Sequence, residues 1–427
     1  RTGDALNIST GGFSFAGGEI SCATGGQSIA YGYSNNSSGG ASASFGALNT
    51  ASGNNSFVGG GANNTASGTE SFVANSCNNS TGFYTSSFGL CNTAIGGASF
   101  VGGSGSTVSG TNSFSFGFNN NVSGCCAYVF GRANSILGGK NDSFIGGGFV
   151  NQIAGFSYGG NAVFGSSNIV CYGSNNAVFG GSNCVLLNCS TISDSHGFSI
   201  VMGQCNRNCG SAYYSLTGGN CSVNFSRAGI SFGCGTTASA GISQFSFGRG
   251  TTNPNNGTSA NIEGSFVVGR YNVWNTTACH LFAVGTGTSD ASRCTTFNVG
   301  ANCRVGILTL TPTTELQVIG TTTTTTLVET SAFRFKENIS PIDSQIEIIK
   351  QLRPVEFDWK DTKKHDFGLI AEEVESLLPT FVEHDDDGEL IGVKYSKLTA
   401  ILIKGMQEQQ KEIDLLKEQI LILKKQR

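Results

Sequence analysis

The first 330 residues of this 427-residue chain are poor in charge. They hold only nine of the 24 Lys and Arg residues and nine of the 28 Asp and Glu residues. Nucleic-acid binding needs clustered Lys and Arg side chains that displace counterions from phosphates, so this composition argues against that function. Apolar runs are also shorter than the ~20 residues that a membrane span requires.

Metal-binding and targeting signals are scarce as well. The chain has four histidines, and its 15 cysteines all lie before residue 331 without the CxxC pairs typical of zinc sites. We therefore expect no metal and no cofactor. Most cysteines are expected to be small buried residues, with disulfides or interchain bridges as the alternative. Because no signal peptide is visible and the first residue is Arg1, we expect a fragment or a processed form that lacks its N-terminal attachment region.

A short apolar motif followed by glycine recurs through the first 300 residues. Copies lie at residues 14–17, 56–59, 99–102 and 143–146, and turn motifs rich in Asn and Gly separate them, as at 49–53 and 64–68. Each period offers one brief strand and turns that tolerate positive φ. Stacked turns can bury Phe and Val in one narrow core, which predicts a β-solenoid. A disordered low-complexity tract is the alternative, and the regular placement of phenylalanine argues against it.

These repeats resemble the heads of trimeric autotransporter adhesins over roughly residues 10–305. In that family, Asn-Thr-Ala-Ser-Gly-like turns alternate with short strands in a left-handed parallel β-roll built by three chains. The resemblance implies a trimeric, elongated, mainly β domain over residues 1–306. This chain departs from the family by using Phe where Ala is favoured, and other β-solenoids such as those of phage spikes remain alternatives.

Residues 307–330 are rich in threonine and nearly free of glycine. Leu308 and Leu310, then Leu316 and Val318, alternate with polar residues. Period-two alternation predicts extended strand. We expect a β neck that wraps with two identical neighbours, and a flexible linker is the alternative.

Residues 331–400 predict a small α/β domain. Ile342, Ile346, Ile349 and Leu352 recur at helical spacing before Pro354 ends the pattern. The other predicted elements are a strand at 355–359, a helix at 371–378 and a hairpin of 380–382 with 389–393 around Asp387-Gly388.

Residues 401–427 carry a heptad pattern. The apolar positions are Leu402, Met406, Ile413, Leu416, Ile420 and Leu423, with Gln409 as the one polar occupant. This spacing predicts a coiled coil of about three heptads. The alternative is a single amphipathic helix that packs on its own domain.

Motifs in the C-terminal part resemble the intramolecular chaperone autoproteases of endosialidase-type phage tail spikes and fibres. The motifs are SAFRFKENI at 331–339, FDW at 357–359, GLIAEEV at 368–374, Pro379 and VKY at 393–395, followed by the heptads. The resemblance implies self-cleavage between Thr330 and Ser331. Ala332 and Phe333 depart from the family, where Asp and a polar residue are usual, and Glu372 stands where Gln is frequent.

Ser331 and Lys336 have the residue types of a Ser-Lys dyad. A serine hydroxyl needs a base to remove its proton, and burial of the lysine in an assembled trimer would favour the neutral amine that can serve as that base. Both residues are therefore predicted to be catalytic. Supporting roles are predicted for Arg334, Glu337, Asn338, His365 and Glu372.

The leading functional prediction is a viral fibre or tail spike, made in the host cytoplasm and displayed on the virion surface. Its expected partners are two further copies of the chain, a host receptor or glycan, and a virion attachment protein. A polysaccharide-degrading spike is the first alternative, although the nine acidic residues before Ser331 are scattered singly and glycosidases need a carboxylate pair. A cellular trimeric adhesin is the second.

Overall fold

The chain is described by a computed structural model, which covers residues 6–137, 142–154, 160–171, 175–186, 198–209, 214–238, 242–253, 264–272, 280–300, 303–385 and 387–425. It divides into two compact units, Arg1–Thr311 and Pro312–Arg427. Strands hold 43% of the residues and helices 14%, so the predicted mainly β class is confirmed.

The first unit is a β-solenoid of about 18 turns, as the sequence predicted. Each turn has a long strand and a short strand, and each strand pairs in parallel with its equivalent in the next turn. Phe72 pairs with Ser86 in the long strands, and Asn79 pairs with Thr93 in the short strands, both at a spacing of 14 residues. Irregular turns widen this spacing, as between Ala177 and Ile200.

The solenoid strands form two sheets. The short-strand sheet comprises Ile8–Ser9, Cys22–Ala23, Asn36–Ser37, Thr50–Ala51, Thr65–Ala66, Asn79–Ser80, Thr93–Ala94, Thr107–Val108, Asn121–Val122, Ser135–Ile136, Gln152–Ile153, Ile169–Val170, Cys184–Leu186, Arg207–Cys209, Val223–Asn224, Thr237–Ala238 and Thr252–Asn253. The long-strand sheet comprises Phe15–Glu19, Ile29–Tyr33, Ala43–Ala47, Phe57–Val58, Phe72–Ser76, Ser86–Leu90, Phe100–Ser104, Phe114–Phe118, Tyr128–Arg132, Phe144–Phe149, Ala162–Ser166, Ala177–Gly181, Ser199–Gln204, Ser215–Asn220, Ile230–Cys234, Phe245–Arg249, Phe266–Arg270 and His280–Thr286. Antiparallel strands Thr295–Gly300 and Val305–Ile307 close the series.

The solenoid core is narrow and built from small side chains. One residue of each strand points inward, such as Val101 on a long strand and Val108 on a short one, and both are fully buried. Serines take the same position in other turns, where Ser37 and Ser44 share a hydrogen bond of 2.7 Å between their Oγ atoms. The phenylalanines predicted for the core instead face outward, because they occupy the opposite phase of the strand alternation.

Outward aromatic side chains occupy the first or third position of many long strands. Together they form a row that we call the aromatic stripe. Rings in successive turns contact one another in stacked or tilted pairs with centroids 4.8–6.1 Å apart, within the range of favourable aromatic pairs. The continuous run consists of Phe45, Phe57, Phe72, Phe88, Phe100, Phe114, Phe130, Phe144, Phe164 and Phe179. The stripe therefore stabilises neighbouring turns, and its rings remain half-buried or exposed in the single chain.

The expectation that most cysteines are buried was wrong. All 13 cysteines that the structure describes are free, and each is exposed or half-buried. The inward positions of both sheets are occupied mainly by Ala, Val, Ile, Ser, Thr and Asn, so cysteines fall at corners and on outward faces.

A column of buried asparagines connects successive turns. Asn92 Nδ2 donates to the Phe88 carbonyl oxygen at 2.7 Å and to the Gly103 carbonyl oxygen of the next turn at 2.8 Å. Its Oδ1 accepts from the backbone N–H of Ser106 at 2.9 Å. The same pattern recurs at Asn35, Asn49, Asn64, Asn78, Asn134, Asn151, Asn168, Asn183 and Asn206. Each side chain thus satisfies backbone groups that the corner of the turn would otherwise leave unpaired.

The second unit combines hairpins and helices. Strands Val355–Asp358 and His365–Gly368 form one antiparallel hairpin, and Val382–His384 with Leu390–Val393 form another. Three α-helices follow the chain order as α1 (Ile346–Gln351), α2 (Ala371–Leu377) and α3 (Tyr395–Lys425). Short 3-10 helices span Phe333–Phe335 and Pro379–Phe381. The core contains Val374, Leu378, Val382, Leu398 and Ile401.

The predicted neck is mostly irregular in the single chain. Within residues 307–330, Leu316–Val318 forms a strand, and residues 319–330 are exposed without regular secondary structure. Helix α1 is also shorter than predicted, since Ile342 lies outside it and is 43% exposed.

Replacing Asn92 with alanine should destabilise the solenoid. The variant leaves two carbonyl oxygens and one N–H buried without this partner, at about 1–3 kcal/mol for each group. We expect the free energy of unfolding to fall by roughly 3 kcal/mol or more in denaturant titration. Asn121→Ala is the matched control, because Asn121 is exposed, and it should change the value by less than about 0.5 kcal/mol. Equal losses in the two variants would contradict the structural role of the column.

Candidate functional site in the C-terminal unit

A tight turn brings Ser331 and Lys336 together. The 3-10 helix Phe333–Phe335 separates them, closed by hydrogen bonds from Phe335 N to Ala332 O at 3.0 Å and from Lys336 N to Phe333 O at 2.9 Å. Lys336 Nζ donates to Ser331 Oγ at 2.7 Å. Proton transfer between the two side chains therefore requires no rearrangement of the backbone.

The loop that carries this pair is open to water. Every residue from 319 to 344 is exposed, including Thr330, Ser331 and Lys336. A lysine in water is ordinarily protonated at neutral pH and does not act as a base. The single chain therefore brings the two side chains into contact but leaves both of them in water.

Three residues near the pair, Arg334, Glu337 and Asn338, differ in their local environment. The Arg334 guanidinium lies over the Phe335 ring, with its carbon 4.7 Å from the ring centroid. Asn338 has a left-handed backbone with φ of 52°, a conformation that asparagine tolerates better than most residues. Glu337 is exposed.

His365 belongs to a different cluster. Its Nδ1 lies 3.0 Å from Asp358 Oδ1 across the hairpin, and its Nε2 lies 4.0 Å from Glu356 Oε2. Among the described residues, the side-chain hydrogen bond of Ser331 is made to Lys336 and none is made to His365. His365, for which a supporting role was predicted, is therefore not in contact with the pair in the single chain.

The same hairpin holds a carboxylate with a perturbed pKa. Trp359 Nε1 donates to Asp366 Oδ2 at 3.0 Å, and this bond, together with the Phe367 N–H, lowers the pKa of Asp366. The bonds favour the ionised carboxylate. The Trp359 indole, at the end of the FDW motif, is therefore bonded to the second strand of the hairpin.

Glu372 lies in the first turn of α2 and is exposed. Its neighbour Glu373 forms an ion pair with Arg353, which raises the pKa of the arginine. Glu372 therefore faces solvent, whereas Glu373 connects the first turn of α2 to Arg353 in the segment that follows α1.

Two positioning contacts were not anticipated from the sequence. Glu408 Oε2 on α3 accepts from Ser344 Oγ at 2.9 Å and from the Gln345 N–H at 3.3 Å, so it holds the end of the exposed loop at the start of α1. Tyr395 Oη accepts from the Leu369 N–H at 2.9 Å. Because Ser344 and Glu408 are 64 residues apart, no local pattern could reveal the first contact.

The fold and this loop define a β-solenoid followed by a small α/β domain. Residues 331–383 match the family model described as the chaperone of endosialidase, a peptidase family. The C-terminal unit therefore contains a chaperone-of-endosialidase domain. No curated protein matches the chain.

The family match implies a self-cleaving intramolecular chaperone peptidase and suggests a phage tail-fibre-like trimeric protein.

No helix in the described part of the chain is long and apolar enough to cross a membrane. Within those same residues, no group of three or more His, Cys, Asp or Glu side chains is arranged to hold a metal ion.

The first part of α3 anchors the chaperone core, and this anchoring is testable. Leu398 is 7% exposed among Val374, Leu378 and Val382. Leu398→Ala should lower the stability of this unit by about 2–5 kcal/mol, because it leaves a cavity in the core. Thermal unfolding followed by circular dichroism measures the loss.

Ile403→Ala provides the control for that substitution. Ile403 lies on the same helix and is 52% exposed, so its truncation should have little effect. An unchanged melting temperature for Leu398→Ala would show that α3 folds independently of the domain.

Proposed function

We propose that the C-terminal unit assembles three chains and then cuts each of them between Thr330 and Ser331. The observation that carries the proposal is the 2.7 Å hydrogen bond between Lys336 Nζ and Ser331 Oγ. The match of residues 331–383 to a self-cleaving chaperone family supports it independently. No cofactor is required by this chemistry.

In the proposed reaction, the neutral amine of Lys336 accepts the proton of Ser331 Oγ while Oγ attacks the Thr330 carbonyl carbon. The C–N bond between Thr330 and Ser331 breaks, and an ester forms as the Ser331 nitrogen leaves with a proton. Water then hydrolyses the ester. The products are a carboxylate at Thr330 and a free amino group at Ser331.

Exposure of the loop supports a coupling between assembly and cleavage. Residues 319–344 are exposed to water in the single chain. Packing of neighbouring chains over the loop would remove that water and favour the neutral amine. Cleavage would then follow only when three chains have aligned.

Two exposed apolar surfaces support a trimer. The aromatic stripe includes Phe116, which is 54% exposed, and Phe179, which is 40% exposed. Contiguous exposed apolar surface of this kind is typical of interaction sites. On α3, Met406, Ile413 and Ile420 are 46–69% exposed on the predicted coiled-coil seam. Identical copies would cover both surfaces.

We further propose that the solenoid is the distal part of a viral fibre that attaches to a host receptor or glycan. A repetitive scaffold with few charged residues provides many equivalent surface turns for recognition. Solenoids also have many registers of similar energy, so a trimerising chaperone that aligns the chains first lowers the entropic cost of assembly. In the proposal, the C-terminal unit is the chaperone that aligns the three chains.

Self-cleavage is tested by intact mass and N-terminal sequencing of the purified chain. The wild type should yield a fragment that begins at Ser331, because both members of the pair are in contact. Ser331→Ala and Lys336→Ala should each reduce the cleaved fraction at least 100-fold, in the range of general acid-base and nucleophilic contributions.

Lys360→Ala serves as the comparison for those two variants, since Lys360 is also an exposed lysine but follows the strand Val355–Asp358, outside the loop that carries Ser331. It should retain most of the cleavage. Normal cleavage by Lys336→Ala would eliminate the proposed base, whereas an uncut wild type would leave the unit as a permanent trimerisation domain.

The aromatic stripe is tested by Phe116→Lys. A charge in the centre of an apolar interface is expensive to desolvate, so the unheated, detergent-resistant trimer band should be lost while circular dichroism keeps its β signal. Phe13→Lys is the control, because Phe13 is 95% exposed at a corner outside the stripe. A trimer band of wild-type intensity for Phe116→Lys would exclude the stripe from the interface.

A further inference from the structure

Two pairs of exposed cysteines occupy the same corner of successive solenoid turns. This corner follows the long strand and has a left-handed backbone, with φ of 60° at Cys77 and 53° at Cys91, and 56° at Cys205 and 55° at Cys221. Because equivalent backbone conformations direct equivalent side chains the same way, the two thiols of each pair are stacked.

Strand register fixes the first pair. Ser76 pairs with Leu90 immediately before the corner, and Asn79 pairs with Thr93 immediately after it. The Cys91 N–H donates to the Ser76 carbonyl oxygen at 2.9 Å. The Cys91 thiol also contacts the Cys77 thiol through a hydrogen bond that raises the pKa of Cys91.

The second pair repeats this geometry. Gln204 pairs with Asn220 before the corner, and Arg207 pairs with Val223 after it. The Cys221 N–H donates to the Gln204 carbonyl oxygen at 2.9 Å. Burial raises the pKa of Cys221, and so does its contact with the Cys205 thiol.

The spacing of parallel strands suits a disulfide. In-register neighbours lie about 4.7–4.9 Å apart, and the Cα atoms of a disulfide lie about 4.4–6.8 Å apart. Other cysteines in the described ranges have different residues in register. Cys22 stands between Ile8 and Asn36, and Cys234 stands between Asn220 and Arg249.

We propose that Cys77–Cys91 and Cys205–Cys221 form cross-turn disulfides when the protein meets an oxidising environment. The oxidant would be a low-molecular-weight disulfide such as oxidised glutathione. In each exchange two protein S–H bonds break and one S–S bond forms, while the small disulfide accepts two electrons and two protons and leaves as two thiols. The bonds would lock successive turns in register, and the inference is independent of the proposed cleavage.

The test treats the full-length protein with oxidised glutathione and compares it with a sample kept in dithiothreitol. Digestion after aromatic residues separates both pairs, because Phe83 and Phe88 lie between Cys77 and Cys91, and Tyr214 lies between Cys205 and Cys221. Mass spectrometry should detect two linked peptide pairs. Thiol titration in denaturant should detect four fewer free thiols than the 15 of the reduced chain.

Substitutions assign the bonds. Cys91→Ser should lose the first linked pair and keep the second, and Cys221→Ser should do the reverse. Cys22→Ser should keep both, because no cysteine is in register with it. Free thiols at all four positions after oxidation, or a reducible dimer or trimer band from bonds between chains, would overturn the proposal.

Discussion

The asparagine column is the interaction on which the solenoid depends. Each turn of about 14 residues reverses the chain at corners, where backbone groups lack partners in a sheet ladder. Asn92 and its equivalents donate to carbonyl oxygens of their own turn and the next, and accept an N–H from the next turn. Stability is therefore propagated from turn to turn rather than through a wide hydrophobic core.

This arrangement leaves the outer faces available for assembly. The core needs only small residues such as Val101 and Val108, so the large aromatic side chains are placed outside. Each ring inside the run contacts a ring in the turn before and a ring in the turn after, as Phe100 does with Phe88 and Phe114. In the proposed trimer, neighbouring chains would cover this aromatic surface, and a separate domain that aligns the copies first would favour the correct register.

Much of the C-terminal unit could be predicted from the sequence, because its signals are local. Helix α2, the strand Val355–Asp358, the hairpin around Asp387-Gly388 and α3 lie close to the predicted ranges, since Pro379, Asp387-Gly388 and the heptads act over a few residues. The strand His365–Gly368, which pairs with Val355–Asp358, was not predicted. The contact between Ser331 and Lys336 also spans only five residues and depends on a single turn. The contact of Glu408 with Ser344 could not be predicted, because it needs α1 and α3 packed together.

The sequence by itself determined that the chain is a repetitive β structure with a charged α/β domain at its C-terminus, because period and composition are read directly from the residue order. Only the tertiary structure decided which face of each strand points inward, since a shift of one residue exchanges the two faces. Because of this orientation, the phenylalanines lie on the surface and many cysteines lie at the corners. It also revealed the asparagine column, whose hydrogen bonds exist only when one turn lies on the next.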